Sequence, residues 1–408
     1  MKKKKKIIFV INTMGRAGAE KCLISMMKCM DREKYDISLF SVINRGEMFD
    51  YVPDGVRILN YNPCRESVLN KKAKSELAGY ILKNGFRKGY FFKEAGYLLK
   101  TLLYQKKHGG IDFKKLFWKL LSDHAPKQKE KYDLAVAYIQ GAATYYVMDH
   151  INAGHKISFL HNEFLDSGYC PELERKYYEK ADAIYCVSGS ICSHFADIYP
   201  DMAGKMEVFY NIPDIEDILE KSLKKEGISP LFNKKEGEII LLTAARLAPV
   251  KAYDIAVPAF ALVKEQGYAV KWYVLGDGPE KDNIKKLIKK YNVEDSFILL
   301  GSTDNPYPYM AACDVYIQAT RYEGCCTSIS EAVILGKAVI ASDCDGNREQ
   351  LKRYGTGTLV ELSVENVAAA IVQVISNKEL YENQSEKVNM SELKPDASLQ
   401  RIYRYLED

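Results

Sequence analysis

Short apolar runs separated by helix-length amphipathic stretches recur from one end of this 408-residue chain to the other, and that alternation leaves few ways to fold. The runs Ile7 to Ile11, Ile37 to Val42, Leu134 to Tyr138, Lys156 to Leu160 and Ala183 to Val187 come first. A second set follows at Ile239 to Ala244, Trp272 to Leu275, Phe297 to Leu300, Val315 to Gln318 and Ala338 to Ser342. Each is the length of a buried strand and too short for a helix, while Ala19 to Met30 has helical periodicity. Strand, helix, strand in this rhythm is the pattern of parallel βαβ units. A single core stops growing at about 250 to 300 residues, so the two sets predict an α/β chain of two doubly wound, Rossmann-like domains.

The break is expected between Asn211 and Gly237, where Asn-Ile-Pro-Asp leads into a charged helix and a turn-rich stretch from Gly227 to Asn233. The expected organisation is therefore an N-terminal domain over 1–212, a linker over 213–236, a C-terminal domain over 237–385, and a helix over 386–408 packing back on the first domain. No internal sequence repeat stands behind the architectural echo. Ligands of doubly wound folds sit at the carboxyl ends of the strands, so two facing domains would place the active site in an interdomain cleft.

Composition narrows the class. With 47% hydrophobic and 27% charged residues the chain suits a packed core rather than disorder. The ten cysteines are scattered, with Cys325 and Cys326 adjacent, so they read as reduced thiols; no CxxC pair marks a structural zinc site. The basic start, Lys2 to Lys6, is followed by an apolar run that stops at Asn12, too soon for a secretory core, so it reads as a first strand. No stretch approaches a bilayer span, and a cytoplasmic protein is expected. Net charge is only +4. Between Lys71 and Leu121, however, 13 Lys or Arg face three acids and interleave with Tyr80, Phe86, Phe91, Phe92, Leu99 and Leu103. This basic, amphipathic helical insertion, about 71–131, either lies on an anionic membrane surface or forms ordinary solvated helices. No nucleic-acid signature accompanies the charge.

Chemistry concentrates in two loops. A strand ending near Gln318 leads into Arg321-Tyr-Glu-Gly-Cys-Cys-Thr-Ser328, and a helix is expected to open near Ser328, presenting free N–H groups and a positive dipole end to an anion. Glu323 on the loop and Glu331 in the expected first turn flank that place. Carboxylates repel phosphate but accept hydrogen bonds from hydroxyls, so the pair suits a ligand with hydroxyls on both sides of a diphosphate, as in a nucleotide sugar. Ser328-Ile-Ser-Glu331 also reads as a capping box in which Glu331 only satisfies the helix start, and Glu323 could be a solvated loop residue. The second loop follows Leu241 to Ala244 and carries Arg246 and Lys251, two cations able to neutralise a leaving diphosphate, or two basic residues in water.

These residues resemble a known family. The Arg246-Leu-x-x-x-Lys251 loop, the Leu275-Gly-Asp-Gly-Pro279 run and the Glu323-x7-Glu331 segment are similar to the family 4 retaining glycosyltransferases of GT-B fold. Asn211, Ala311-Ala-Cys-Asp314, Ser188 and the glycine-rich Asn12 to Glu20 fit the same pattern, which is fullest over Gly237 to Leu351. The resemblance implies that Arg246 and Lys251 grip the donor diphosphate, Glu331 the ribose and Glu323 the transferred sugar, with the backbone of Gly324, Cys325, Cys326 and Thr327 completing the contacts. It implies that Gly15 and Gly18 face the donor phosphates from the other domain. It also implies that His161 touches the transferred sugar or the acceptor, although a structural histidine would look the same. Cys325-Cys326 departs from the family, which has a small Gly or Pro there.

The implied activity is metal-independent, retaining transfer of a hexosyl or N-acetylhexosaminyl group from a nucleotide sugar, a UDP-sugar, to a saccharide or lipid-linked saccharide in cell-surface polysaccharide synthesis. No cofactor is expected. The retained configuration is attributed in the family to attack on the face from which the diphosphate departs. Asp343-Cys-Asp345 offers a short metal-binding pattern, read here as a loop after a strand. Gly15-Arg-Ala-Gly18 is not the dinucleotide fingerprint G-x-G-x-x-G. A sugar-nucleotide epimerase or isomerase, and a non-catalytic nucleotide-sugar-binding partner of a transferase, are the competing classes.

Overall fold

The computed structural model describes residues 3–407 apart from 69, 88, 109–112, 166, 225–227, 378, 380–387, 389–392 and 394–395. Parts of the expected insertion (109–112), of the linker (225–227) and of the final segment (most of 386–395) thus lie outside the described residues. The chain divides into two compact units, Met1–Ile212 with Pro395–Asp408, and Pro213–Lys394.

The first unit is built on seven strands: β1 (Lys5–Ile11), β2 (Tyr35–Ser41), β3 (Arg57–Ile58), β4 (Lys131–Ala137), β5 (Asn152–Leu160), β6 (Ala183–Cys186) and β7 (Met206–Val208). They run parallel in the order β3-β2-β1-β4-β5-β6-β7. Ile7, Phe9 and Ile11 on β1 share one core with Leu134 and Val136 on β4 and with Leu23 and Met27 of the helix Gly18–Cys29. A run buried on both faces must be apolar at every position, which is why β1 reads as an unbroken hydrophobic stretch.

Between β3 and β4 the helices Lys71–Arg87, Tyr90–Lys93, Ala95–Lys107, Phe113–Leu116 and Trp118–His124 occupy most of the chain. Tyr90, Tyr97 and Leu120 are buried, while Leu82, Phe86, Phe92, Leu99 and Leu103 stay exposed. The unit is completed from the far end of the sequence by the helix Asp396–Tyr403. Leu399, Ile402 and Leu406 enter the same core as β1 and β4, the Tyr403 ring stacks on Tyr35 at 4.7 Å, and Tyr185 donates 2.6 Å to the Arg401 carbonyl.

The second unit holds β8 (Ile239–Ala244), β9 (Val270–Leu275), β10 (Phe297–Gly301), β11 (Val315–Gln318), β12 (Ala338–Ser342) and β13 (Thr358–Val360). They too are parallel, in the order β10-β9-β8-β11-β12-β13. Strand order reverses between β1 and β4 in the first sheet and between β8 and β11 in the second. Beyond the carboxyl ends of those pairs the helices diverge to opposite faces and leave a crevice in each unit.

Candidate active site

In the second unit the residues that close the crevice are carried by the loops after β8 and β11. The β8 loop turns through a short 3-10 stretch, Pro249–Lys251, into the helix Tyr253–Glu265. It is fastened to the β11 loop by backbone: Arg321 N–H donates 2.8 Å and Thr320 Oγ1 2.9 Å to the Val250 carbonyl. Arg321 also reaches the Pro249 carbonyl at 2.6 Å and pairs with Asp254 at 2.6 Å. This clamp brings Lys251 Nζ into direct contact with Glu323 Oε1. Burial disfavours the lysine charge, yet the Glu323 carboxylate outweighs it and holds the ammonium above its ordinary value; Arg246, near enough to oppose it, works the other way. Arg246 itself is exposed.

Glu331 is buried, and Tyr307 donates to its Oε1 at 3.3 Å. The structure corrects the helix start: it spans Thr327–Ile334 with Cys326 at the cap, so Glu331 lies in the second turn and no side chain caps the N-terminus. The capping box is not formed, because Ser328 Oγ instead donates 3.0 Å to the Ala244 carbonyl at the end of β8. The helix start is held from outside: Cys326 N–H donates 3.0 Å to Gln350 Oε1, and Gln350 Nε2 returns 2.8 Å to the Cys326 carbonyl. That amide occupies the Cys326 N–H, whereas those of Thr327 and Ser328 have no carbonyl one turn back within the helix. Gly346 supports the loop from below; a Cβ there would lie 2.1 Å from the Glu323 carbonyl and 2.6 Å from that of Gly324. Cys325 is half-buried. Asp343 and Asp345 both pair with Arg348, each at 2.8 Å.

The first unit has its own cluster at the carboxyl end of its sheet. Asn12 after β1 donates 2.9 Å to the Gln140 carbonyl after β4, and its Oδ1 accepts from Ala143 N–H at 2.7 Å. Gln140 then holds the β5 loop, accepting from His161 N–H at 3.0 Å and donating 2.9 Å to the Asn162 carbonyl. His161 is buried against Tyr138, its ring centroid 4.9 Å from the tyrosine's. Burial lowers its imidazole to about 4, against a hydrogen bond to the Tyr138 backbone, so it is neutral near pH 7. Among the described residues its Nε2 has no hydrogen-bond partner. Gly15 lies in the loop after β1 and Gly18 opens the helix that follows. Burial also pushes the carboxyl of Glu20, on that helix, up to about 7 while Thr13 Oγ1 donates to it at 3.2 Å.

The structure thus gathers Arg246, Lys251, Glu323, Glu331 and the Gly324-to-Thr327 loop in one unit, and Gly15, Gly18 and His161 in the other. Sequence reading missed Gln318, Tyr316, Gln350, Tyr307 and Gly346; their only local sign is a polar or glycine residue at the end of a buried strand or on a helix.

Residues 224–389 match the family described as Glycosyl transferases group 1. Over 190 residues, 46% of this chain and 49% of the relative, the sequence is 32% identical to N-acetylgalactosamine-N,N'-diacetylbacillosaminyl-diphospho-undecaprenol 4-alpha-N-acetylgalactosaminyltransferase of Campylobacter jejuni. Over 221 residues, 53% of this chain and 42% of the relative, it is 27% identical to poly(ribitol-phosphate) alpha-N-acetylglucosaminyltransferase of Staphylococcus aureus. The chain therefore spans about half the length of the curated relatives it matches. Among solved structures, Anabaena HepE in complex with UDP and glucose superposes with a TM-score of 0.66 at 18% identity, covering 98% of this chain and 99% of that one. The fold is that of this GT-B structure, and the second unit is similar to the group 1 glycosyltransferases over residues 224–389. The epimerase and non-catalytic readings are not favoured, since the relatives it matches are transferases. Among the described residues no helix is long and apolar enough to cross a membrane.

Proposed function

We propose that this protein transfers a hexosyl or N-acetylhexosaminyl group, with retention, from a UDP-sugar to a saccharide or lipid-linked saccharide during cell-surface polysaccharide assembly. The observation that carries this reading is the Lys251–Glu323 contact beside Arg246 at the switch point of the second sheet: a carboxylate for sugar hydroxyls set against two cations for a diphosphate. Lys251 has three donors, so it can keep Glu323 while turning another N–H toward a phosphate oxygen. With Arg246 it would offset the negative charge that grows on the diphosphate as the glycosidic bond breaks. Free N–H groups at the start of the helix Thr327–Ile334 would add to that stabilisation. Glu331 would accept from the ribose hydroxyls. His161, neutral and with Nε2 unpartnered, suits a hydroxyl donor on the transferred sugar or the acceptor, and Gly15 and Gly18 would allow close backbone approach to the donor phosphates. In this reading the departing diphosphate takes the acceptor's proton, no metal or cofactor takes part, and the protein works in the cytoplasm against an anionic membrane surface through its basic insertion.

The test is a thermal-shift screen with UDP and UDP-sugars, followed by transfer assays. Ligands of the folded state raise its melting point, so one UDP-sugar should stabilise more than UDP alone. Glu323→Ala should keep the UDP response, lose the sugar increment and reduce turnover about 100-fold. Unchanged transfer in that variant would remove the proposed site.

A further inference from the structure

Both protein contacts to the Glu323 carboxylate fall on one of its two oxygens, and one of them comes from a buried amide. Lys251 Nζ and Gln318 Nε2 both reach Glu323 Oε1, the amide at 3.1 Å. Among the described residues no hydrogen bond or ion pair reaches Oε2. Gln318 is the last residue of β11 and only 1% exposed. Its orientation follows from donor and acceptor chemistry. A carboxylate only accepts, so the amide must turn its NH2 toward Glu323, and its Oε1 then faces away. There it meets the fully buried Tyr316 hydroxyl at 3.0 Å. Ala244 N–H donates to that hydroxyl at 3.3 Å, and the Ala244 carbonyl already accepts from Ser328 at 3.0 Å. The Tyr316 hydroxyl has two acceptors, Gln318 Oε1 at 3.0 Å and the Ala244 carbonyl at 3.3 Å. The shorter bond goes to Gln318, and through it a chain of contacts runs from the end of β8 by way of Tyr316 and Gln318 to the loop glutamate.

We infer that Gln318 is a positioning residue that, with Tyr316 behind it, pins Glu323 Oε1 and leaves Oε2 as the single oxygen accepting from a hydroxyl of the transferred sugar. The inference rests on the donor-sugar role proposed for Glu323. A carboxylate held by one oxygen can neither chelate two adjacent hydroxyls symmetrically nor rotate to follow a different one. The relay therefore ties the sugar's hydroxyl geometry to the strand ends rather than to the loop, and it should set selectivity among sugars that differ at one hydroxyl.

The experiment compares binding of UDP, UDP-glucose, UDP-galactose, UDP-GlcNAc and UDP-GalNAc by calorimetry, with kcat and KM for whichever sugar is transferred. It uses the full chain and the variants Gln318→Met, Tyr316→Phe, Gln318→Glu and Glu323→Ala. Gln318→Met should bind UDP within about twofold of the parent while the advantage of the preferred UDP-sugar over UDP falls about tenfold. Its selectivity among the four sugars should narrow. Tyr316→Phe, which keeps the ring and its packing, should move the same way by less, so that a poorly folding Gln318→Met does not end the test. Gln318→Glu places a second carboxyl against Glu323. Only one of two such neighbours ionises readily, so the added one acts as a neutral donor at low pH and as a repelling charge at high pH. Its activity relative to the parent should therefore decline between about pH 5 and pH 8. If Glu323→Ala loses the sugar advantage while Gln318→Met and Tyr316→Phe retain it, and Gln318→Glu follows the parent's pH profile, the positioning role is overturned and the functional reading stands. If Glu323→Ala itself keeps the advantage, the functional reading fails and the inference fails with it.

Discussion

Holding a histidine neutral inside a fold makes stability depend on acid. The His161 imidazole lies at about 4 in the folded chain against an ordinary 6.5. Between those values the unfolded chain binds a proton that the folded one does not, so stability falls as pH drops from 6.5 toward 4 and is unaffected above that window. The loss should reach up to about 3 kcal/mol. Urea denaturation at several pH values should give the parent a steeper decline below pH 6.5 than His161→Gln, and identical slopes would mean the imidazole is not kept uncharged. The site residues were unequally legible. Arg246, Lys251 and Glu323 each stand just past an apolar strand, where a charged side chain has no packing reason to be, and that is visible locally. Gln318 ends a strand and reads as one more polar tip. Its meaning lies in Tyr316 two residues back and in Glu323 five residues on, and strand geometry alone does not say which way an amide points. Gln350 is harder still, since it serves the Cys326 backbone from a different helix.

At the scale of elements, a glycine limits where the Arg246 loop can lie. Gly276, in the run that follows β9, has a φ of +145°, and a Cβ there would sit 1.9 Å from the Ala245 carbonyl. That run is laced to the Arg246 loop by backbone, with Leu247 N–H donating 3.0 Å to the Asp277 carbonyl and Glu280 N–H 3.0 Å to that of Leu247. Gly276→Ala should therefore cost about 2 kcal/mol or more and displace Arg246. Unfolding measurements paired with UDP titration would show both effects, and a variant of parental stability and affinity would deny the glycine its role. The long buried strands were readable because burial on both faces demands unbroken apolar runs. The edge strands β3, β7 and β13 were not, being two or three residues long and half-exposed. The capping box failed for a tertiary reason: its sequence was present, but the end of β8 offered Ser328 an acceptor that local pattern cannot show.

Seen whole, the first unit carries an unusual exterior. Of the large apolar side chains left in water, Tyr80, Leu82, Phe86, Phe92, Leu99 and Leu103 fall within one short stretch of the basic insertion, Phe92 being 84% exposed. Exposed apolar groups interleaved along the chain with lysine fit an anionic lipid surface better than bulk water. The protein should float with phosphatidylserine-containing vesicles, release as salt is raised, and bind less after Leu82→Ser, Phe86→Ser and Phe92→Ser are combined. Absence of flotation at every lipid charge would sink the membrane reading. The path of the chain has a further consequence. The first unit's core takes Leu399, Ile402 and Leu406 from beyond the second unit, so on the ribosome its hydrophobic seat stays open while some 180 intervening residues are made. Chaperone dependence and aggregation should accordingly concentrate in the nascent first half, and any nick or stop ahead of residue 396 should be felt far from where it falls, beside β1.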